Sequence, residues 1–430
     1  MITLEIESLD REARGVARNQ GKAVFVDGAM TGELVECSVY KKKPSFELAQ
    51  LHRVLRASAS RVAPQCKFFG ICGGCSMQHI ETRAQVAAKQ RVLEDCLSRI
   101  GKVEAEVIMS PIVGAPWGYR RRARLSVRWV QKKGGVLVGF REKKSSFVAD
   151  MTHCEVLPEF MARALPDLRA LVASMSIRER VPQIEVALGD AVTVLVFRVL
   201  DLPSDDDLSK LRTFAEQSQF QVWLQPQGPE TATPLWPMNP APLEYLLPEF
   251  DLRLNFGPTE FTQVNHGVNR MLVRRAIRLL DPRPGERIGD MFCGLGNFSL
   301  PIARCGAQVV GIEGSDSLVA RAKHNAEING LSDHCQFAAA NLFDEKLCGE
   351  LDAFDKMLID PPREGAIDLV KSLAGREPER IVYVSCDPAT LARDAEVLVN
   401  VLGYRLKTAG IVNMFHHTSH VESIAMFEKP

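Results

Sequence analysis

Residues 290–298 read Asp290-Met291-Phe292-Cys293-Gly294-Leu295-Gly296-Asn297-Phe298, and this stretch decides the fold. Its first residues complete a predicted strand, and its glycines let the backbone pass close to a ligand where a helix begins. The spacing differs from the dinucleotide-binding G-x-G-x-x-G because Asn297-Phe298-Ser299 follows the second glycine. The stretch predicts a ligand-binding strand–loop–helix unit, with an NAD-binding Rossmann unit as the competing interpretation.

Strand and helix patterns alternate around that stretch through the last third of the chain. The predicted strands cover residues 287–292, 308–313, 354–360, 381–385 and 421–427, and a predicted helix from Ser315 to Asn329 stops at Gly330. This alternation predicts an α/β fold with a doubly wound parallel sheet. Glu313 closes the second strand, where an acid can bind ribose hydroxyls, while Asn341 follows the third strand and Asp360 ends the fourth.

A cysteine stands at the end of the next strand. Apolar Ile381 to Val384 leads to Ser385-Cys386, and Asp387 and Pro388 then open a helix. Open α/β sheets bind their ligands at the carboxyl ends of strands, and a helix N-terminus favours a thiolate. The pattern therefore predicts a reactive thiol at Cys386, with a packing role as the alternative.

Composition narrows the class of protein. No apolar run in the 430 residues is long enough to span a bilayer, and the first residues lack the apolar segment of a signal peptide. Eleven cysteines without a secretory signal favour a reducing compartment, so we expect a cytoplasmic protein with no membrane contact. Residues 1–150 carry 26 basic and 15 acidic side chains although the whole chain is neutral, which predicts a polyanionic partner.

Arginines follow one face of a predicted strand beginning at Tyr119. Arg120, Arg122, Arg124 and Arg128 share one parity, and apolar residues hold the other. Because guanidinium groups match phosphate oxygens, the row predicts contact with RNA or DNA, with an exposed polar face as the alternative. Residues 200–255 are rich in proline and predict an irregular junction between domains.

Four further cysteines predict a metal site. The spacing Cys66-x5-Cys72-x2-Cys75 leaves room for a fourth ligand, and Cys154 is the best candidate. Four thiolates suit an iron–sulfur cluster or a zinc ion, and the spacing does not separate the two.

Together these motifs resemble the RNA uracil-C5 methyltransferase family. The resemblance runs over essentially the whole chain and rests on Cys66-x5-Cys72-Gly-Gly-Cys75, Phe261-Thr-Gln263-Val-Asn265, residues 290–298, Ser385-Cys-Asp-Pro-Ala-Thr-Leu-Ala-Arg-Asp394 and His417-Thr-Ser-His-Val-Glu-Ser423. Residues 1–56 resemble the family's TRAM module, an OB-like RNA-binding barrel. A TRAM module combined with cluster cysteines is most similar to the branch that acts on 23S ribosomal RNA.

The resemblance implies a class I S-adenosylmethionine-dependent methyltransferase with a Rossmann-like fold. It implies three domains: a TRAM barrel (1–56), a central iron–sulfur and RNA-binding domain (57–255) and the methyltransferase domain (256–430). Cys66, Cys72, Cys75 and Cys154 would hold a [4Fe–4S] cluster, and the methyl-donor pocket would be lined by Gln263, Phe292, Asn297, Glu313, Asn341 and Asp360. Cys386 would be the nucleophile and Glu422 the base. Asp387 departs from the family by replacing the asparagine usual after the nucleophile.

The chemistry at uracil C5 explains why a thiol and a carboxylate are needed. Addition of a thiolate at C6 makes C5 nucleophilic enough to accept a methyl group, and a base must then remove the C5 proton. We expect an unpaired or flipped uridine of 23S ribosomal RNA as substrate and a monomeric enzyme. His420 shares strand parity with Glu422, so it either orients that carboxylate or is a satisfied histidine without a role.

Other functions stay open at the level of sequence. Asp360-Pro361-Pro362-Arg363 resembles the motif of nucleic-acid amino-methyltransferases, which need no nucleophilic cysteine. A non-catalytic RNA-binding iron–sulfur sensor is a third interpretation. Because residues alone do not identify the target, a different ribosomal or transfer RNA uridine is a further alternative.

Overall fold

The computed structural model describes all 430 residues, and the chain begins with a six-stranded sheet. Its strand order is β1-β5-β6-β4-β3-β2, and alternate side chains such as Val24, Val26 and Val35 form a small buried core. The strands are β1 (Ile2–Glu5), β2 (Ser8–Leu9), β3 (Gly15–Asn19), β4 (Lys22–Asp27), β5 (Leu34–Lys42) and β6 (Phe46–Arg56). All six strands lie within residues 1–56, the part of the chain that resembles a TRAM module.

One helix and one short strand follow the cysteine loop, the segment of residues 66–75 that contains Cys66, Cys72 and Cys75. These are α1 (Thr82–Cys96) and β7 (Val107–Ile108). Glu81 caps α1, since its side chain accepts a hydrogen bond from the amide of Ala84 at 3.1 Å. Both elements pack against the C-terminal third of the chain rather than against the second sheet.

The second sheet has the order β13-β12-β11-β10-β8-β9 and carries three helices on its surface. Its strands are β8 (Arg122–Val130), β9 (Gly135–Gly139), β10 (Gln183–Leu188), β11 (Thr193–Arg198), β12 (Gln221–Gln225) and β13 (Thr233–Trp236). The helices are α2 (Glu159–Arg163), α3 (Leu165–Ser174) and α4 (Asp205–Ser218). The predicted irregular structure over residues 200–255 is wrong, because Ser204 and Asp207 form a capping box that begins α4 and four strands follow before residue 256.

Strand β8, which carries the arginine row, has the predicted alternation, but its arginine face is less exposed to solvent than the prediction implies. Ala123, Leu125 and Val127 are buried on β8. Arg122 is also largely buried, and its guanidinium donates to the carbonyls of Glu260 and of Pro258. Arg124 forms an ion pair at 3.0 Å with Glu185 of the neighbouring strand. Part of the row therefore holds protein elements together, and its contact with nucleic acid stays a prediction.

The C-terminal third forms an eight-stranded sheet preceded by a hairpin, β14 (Glu244–Leu247) and β15 (Leu252–Asn255). The sheet order is β18-β17-β16-β19-β20-β22-β21-β7. Its further strands are β16 (Arg287–Met291), β17 (Gln308–Glu313), β18 (Cys335–Ala339), β19 (Lys356–Ile359), β20 (Arg380–Ser385), β21 (Arg405–Val412) and β22 (Glu422–Glu428). The first five strands in that order are parallel, but β22 runs antiparallel to both of its neighbours, so the predicted all-parallel sheet is a mixed one.

Six helices accompany this sheet, and the chain crosses between strands through them. They are α5 (His266–Leu280), α6 (Ser299–Arg304), α7 (Asp316–Ile328), α8 (Glu345–Gly349), α9 (Ile367–Ser372) and α10 (Pro388–Glu396). No helix in the structure combines the length and the apolar character that a membrane span requires.

The register between β20 and β22 determines which side chains meet at the carboxyl end of β20. Ser385 lies opposite Ser423, so the carboxyl end of β20 meets the beginning of β22. Cys386 and Glu422, which follow and begin these strands, are brought together from positions 36 residues apart.

Candidate active site

A cavity of about 550 Å³ opens at the carboxyl ends of the parallel strands. Aromatic and polar side chains line it together. The structure brings every residue predicted for the donor pocket and for catalysis to this one cavity: Gln263, Phe292, Asn297, Glu313, Asn341, Asp360, Cys386 and Glu422.

The loop after β16 holds the acid at the end of β17. The amide of Gly294 donates to Glu313 Oε2 at 3.0 Å, and the amide of Ser315 donates to Oε1 at 3.1 Å. Phe292 has a φ of +63°, so the chain turns sharply where it leaves the strand. The result is a carboxylate of fixed orientation beside a glycine loop, an arrangement suited to binding a ribose.

Asn297 is held by hydrogen bonds within the protein. Its Oδ1 accepts from Tyr245 Oη at 2.8 Å and from Asn269 Nδ2 at 2.9 Å, and its Nδ2 donates to Asn269 Oδ1 at 3.1 Å. These bonds orient the side chain at the cavity and leave one hydrogen of Nδ2 for a ligand. The sequence offered no signal for Tyr245 or Asn269, because their partner lies 28 or more residues away.

Two buried carboxyl groups face the cavity with raised pKa values. Burial raises the pKa of Asp360 to about 7. Burial, with the nearby charge of Asp360 as a second cause, raises the pKa of Glu422 to about 8. Groups that titrate near neutral pH are suited to taking up and releasing protons during a reaction.

Cys386, the nucleophile candidate, lies where the thiolate form is disfavoured. Burial raises the pKa of Cys386 to about 12, and the charges of Glu422 and Asp360 add to that rise, while Arg363 opposes it. These effects act against the thiolate that the helix N-terminus is expected to favour, and the reactivity of Cys386 stays a prediction. The side chain of Asp387 caps α10, since its Oδ1 accepts a hydrogen bond from the amide of Ala389 at 2.8 Å. The thiol proton has to leave before Cys386 can attack a substrate.

His420 lies at the same cavity but contacts a cation. Its Nδ1 is 3.4 Å from a guanidinium nitrogen of Arg363, and its ring lies 5.3 Å from that of Phe415. Burial and the charge of Arg363 lower the pKa of His420. The structure gives His420 no hydrogen bond to Glu422, so its orienting role stays a prediction.

The four predicted ligand cysteines line a second, smaller cavity. Cys66, Cys72, Cys75 and Cys154 share it with Phe68, Phe140, Met151 and Arg120. All four are free thiols, and burial raises the pKa of Cys75 to about 11 and that of Cys154 to about 12. The thiols of this cavity lie near enough to raise one another's pKa values. No group of three or more His, Cys, Asp or Glu side chains in the protein is arranged to hold a metal ion.

Comparisons with known proteins agree with this architecture. The family described as tRNA (Uracil-5-)-methyltransferase matches residues 81–430, and the TRAM domain matches residues 1–51. The chain is 60% identical over 428 residues to the 23S rRNA (uracil(1939)-C(5))-methyltransferase RlmD of Nitrosospira multiformis, covering 99% of this chain and 98% of the relative. It is also 60% identical over 433 residues to the enzyme of the same name from Azoarcus sp., with both chains covered in full.

A solved structure extends the likeness to the whole fold. The tRNA (uracil-54, C5)-methyltransferase of Pyrococcus abyssi, determined in complex with S-adenosyl-L-homocysteine, superposes with a TM-score of 0.76 at 25% sequence identity. The superposition covers 99% of this chain and 100% of the other.

Proposed function

Since the chain belongs to the tRNA (uracil-5-)-methyltransferase family, it is an S-adenosylmethionine-dependent RNA methyltransferase, and we propose that it methylates C5 of uridine 1939 in 23S ribosomal RNA. One observation supports the chemistry above all. The Cys386 thiol and the carboxyl groups of Asp360 and Glu422 line the same cavity as the glycine loop, whose Gly294 amide is hydrogen-bonded to Glu313. The near-complete coverage of the 23S ribosomal RNA enzymes supports the choice of RNA.

The donor is held, in this proposal, by the six residues at the strand ends, Gln263, Phe292, Asn297, Glu313, Asn341 and Asp360. S-adenosylmethionine supplies an electrophilic methyl group. Glu313 accepts from the donor's ribose hydroxyls, and its two backbone hydrogen bonds keep the carboxylate in place for that contact. Phe292 and Phe343, whose rings lie 5.5 Å apart, form an apolar wall beside it.

Cys386 and Glu422 perform the steps on the base. The Cys386 thiol passes its proton to the nearby carboxylate of Asp360, and its sulfur forms a bond with C6 of the uracil, which places the displaced electron pair at C5 and the C4 oxygen. C5 then bonds to the methyl carbon while the bond between that carbon and the donor's sulfur breaks, and S-adenosylhomocysteine leaves. Glu422 removes the proton from C5, the C5–C6 double bond forms again, and the bond between C6 and sulfur breaks. The enzyme is thereby restored once the proton on Glu422 has left.

The substrate uridine enters this cavity flipped out of its stack, and one protein molecule is sufficient. A base stacked in a helix offers neither face of C6 to a thiol at the bottom of a pocket. The proposed nucleophile, base and donor-binding residues all belong to this chain, so a single copy carries the groups that the proposed reaction needs.

The cysteine cavity holds a [4Fe–4S] cluster in this proposal. Four thiols and an apolar lining suit such a cluster, and Arg120 supplies a nearby positive charge. The type of donor therefore fits the group, although the four thiols are not arranged around a metal position in this structure and an all-thiol donor set also suits zinc. We place the domain boundaries at residues 56 and 255. Since α1 and β7 pack on the C-terminal sheet, the central domain lies against the methyltransferase domain.

Labelled methyl transfer tests the function directly. Purified protein is incubated with labelled S-adenosylmethionine and an unmodified 23S ribosomal RNA fragment that contains uridine 1939, and the nucleosides of the product are analysed. We expect 5-methyluridine, and no label in the same fragment with cytidine at position 1939. Label in an exocyclic amine would support an amino-methyltransferase, and label in transfer RNA alone would identify a different uridine as the target.

A further inference from the structure

The buried face of α1 carries two polar side chains where an amphipathic helix normally carries apolar ones. Gln85, Lys89 and Leu93 follow one another at intervals of four residues and are all buried. Gln85 is 0% exposed and Lys89 is 2% exposed. Burial lowers the pKa of Lys89 to about 7, and no carboxylate is bound to its ammonium group. Such a lysine costs stability that an apolar side chain would not cost.

Both side chains bind one loop, the segment of residues 413–421 that joins β21 to β22. Lys89 Nζ donates at 2.8 Å both to Asn413 Oδ1 and to the carbonyl of Phe415. Gln85 Oε1 accepts from the amide of His417 at 3.0 Å, and its Nε2 lies 3.1 Å from His417 Nδ1. The same Nε2 donates to the carbonyls of Met77 and Ile80.

The loop needs such partners because most of it is buried. A buried loop has backbone polar groups that no neighbouring strand can satisfy. Its buried residues are Asn413, Met414, His416, His417, Thr418 and Val421. His417 also has a φ of +62°, a left-handed conformation that persists only where the surroundings enforce it. Its ring stacks on Trp117 at 3.8 Å, and its carbonyl accepts from the amides of Ser76 and Met77.

The loop and the first residue of β22 together contribute three side chains to the lining of the active-site cavity. Phe415 and His420 belong to the loop, and Glu422 is the first residue of β22. Glu422 follows the loop directly and pairs with Val412 of β21, so the loop and β21 together set the position of its carboxyl group relative to Cys386 on β20.

We infer that Gln85 and Lys89 of α1 are positioning residues, which hold the 413–421 loop so that Glu422 reaches the C5 proton of the methylated base. The inference rests on the proposed role of Glu422 as base. It explains why an unfavourable buried lysine occurs on α1: the lysine keeps a catalytic group in place. A small displacement of such a group is enough to slow the step that it performs.

The test compares Lys89→Met with Glu422→Gln, and uses Arg91→Met as a control. Arg91 lies on the same helix with its side chain 70% exposed, so its replacement removes a charge without touching the loop. Three quantities are measured: the rate of covalent adduct formation with 5-fluorouridine RNA, the rate of product release from ordinary RNA, and the midpoint of thermal unfolding.

We expect Lys89→Met to form the 5-fluorouridine adduct within about twofold of the wild-type rate, because Cys386 is untouched. Product release should slow roughly tenfold to a hundredfold, with accumulation of the methylated adduct, as in Glu422→Gln. The unfolding midpoint should change by only about a few kelvin, because the loss of a buried charge offsets the two loop acceptors that methionine leaves unpaired. Arg91→Met should match the wild type in all three measurements.

Other outcomes would overturn the inference in distinguishable ways. Parallel losses of adduct formation, product release and unfolding midpoint would mean that Lys89 is only structural. Accumulation of adduct in Glu422→Gln but not in Lys89→Met would remove the inference and leave the base in place. Absence of accumulation in Glu422→Gln would remove both. If Lys89→Met does not fold, Asn413→Leu removes the same contact from the side of the loop and is judged by the same criteria.

Discussion

The active-site cavity holds the Cys386 thiol among carboxyl groups, with Cys293 as the other cysteine of its lining, whereas the cysteine cavity holds four thiols among mostly apolar side chains. Burial is the leading cause of a raised pKa in both places, to about 12 for Cys386 and about 12 for Cys154. At the active site Glu422 and Asp360, with pKa values of about 8 and about 7, can exchange protons near neutral pH. In the cysteine cavity Glu155 is the only carboxyl group among the lining residues.

The difference indicates how each site reaches its reactive form. A half-buried thiol beside proton acceptors, such as Cys386, can be deprotonated transiently and act once per turnover. Four neighbouring thiols lose their protons together only if a metal centre compensates their charge, and that compensation also stabilises the fold. The first site is therefore expected to respond to changes in its acids, and the second to removal of metal.

The largest effect is expected for Cys386→Ser at the active site. A hydroxyl is far less nucleophilic than a thiol toward C6, so methyl transfer should fall on the order of 10⁴-fold or more. RNA affinity should stay within about twofold, because binding draws on the basic first part of the chain. Single-turnover methylation and filter binding measure the two quantities.

Cys305→Ser is the matched control, since that cysteine lies at the end of α6 and outside both cavities. Wild-type protein should form a denaturant-resistant adduct with 5-fluorouridine RNA, and Cys386→Ser should form none. Adduct formation by Cys386→Ser would eliminate Cys386 as the nucleophile.

The second prediction separates the acid from the thiol within the same cavity. Glu422→Gln should add to the base and transfer methyl, then slow by about 10²- to 10⁴-fold at proton removal. Because burial raises the pKa of Glu422 to about 8, its carboxylate form increases as the pH rises from 6 toward 8. Breakdown of the methylated adduct by the wild type should accelerate about tenfold per pH unit over that range and then level off.

Quenched-flow analysis of the adduct across this pH range measures that step. The Glu422→Gln protein should show no such acceleration. A mutant that turns over normally, or retains the same pH profile, would rule out Glu422 as the base.

The third prediction concerns the cysteine cavity. Protein purified without oxygen should be brown and contain about four irons and four sulfides, and Cys72→Ala should lose most of them. The mutant should also unfold at a temperature several kelvin lower, because the loop loses the centre that organises it. Analysis showing one zinc and no sulfide in the anaerobic protein would overturn the cluster.

RNA affinity should fall about threefold to tenfold in Cys72→Ala. The cysteine loop is bonded to the hairpin at residues 141–148, since Gly73 donates to the carbonyl of Arg141. Lys144 of that hairpin binds Asp27 of the first sheet at 2.6 Å, which ties the barrel to the cysteine loop. Unchanged stability and affinity in a metal-free Cys72→Ala protein would show that the cluster has no structural role.

Local patterns in the sequence were sufficient to find the strands and the residues that follow them. Glu313, Asp360 and Cys386 were identified because they end apolar strands, and parallel strands bring their carboxyl ends to one edge. The strand at residues 405–412 was missed, as was its antiparallel pairing with β22. The domain boundaries and the roles of the site residues stay predictions.

The features that the sequence could not reveal depend on contacts between distant residues. Lys89 binds Asn413, which lies 324 positions away. The high pKa of Cys386 arises from burial and from carboxyl groups on two other segments, Asp360 and Glu422. Proline content misled the interpretation of residues 200–255, because the prolines lie beside short strands and a well-capped helix rather than within a disordered linker.

The smallest effect is expected where the barrel meets the active site. Arg11, in the turn between β2 and β3, forms an ion pair at 2.6 Å with Asp387, directly after the nucleophile. Both side chains are substantially exposed, so the pair contributes on the order of 0.5 kcal/mol or less to stability.

Asp387→Asn keeps the oxygen that accepts from Ala389 and should change turnover by less than about twofold. Asp387→Ala removes the cap of α10 beside Cys386 and should cost about 1 kcal/mol of stability and a few-fold in turnover. A double-mutant cycle with Arg11→Ala, read by single-turnover rates and thermal unfolding, measures the coupling. A coupling well above 1 kcal/mol would mean that the barrel helps to hold the nucleophile, and the two regions would then have to be treated as one site.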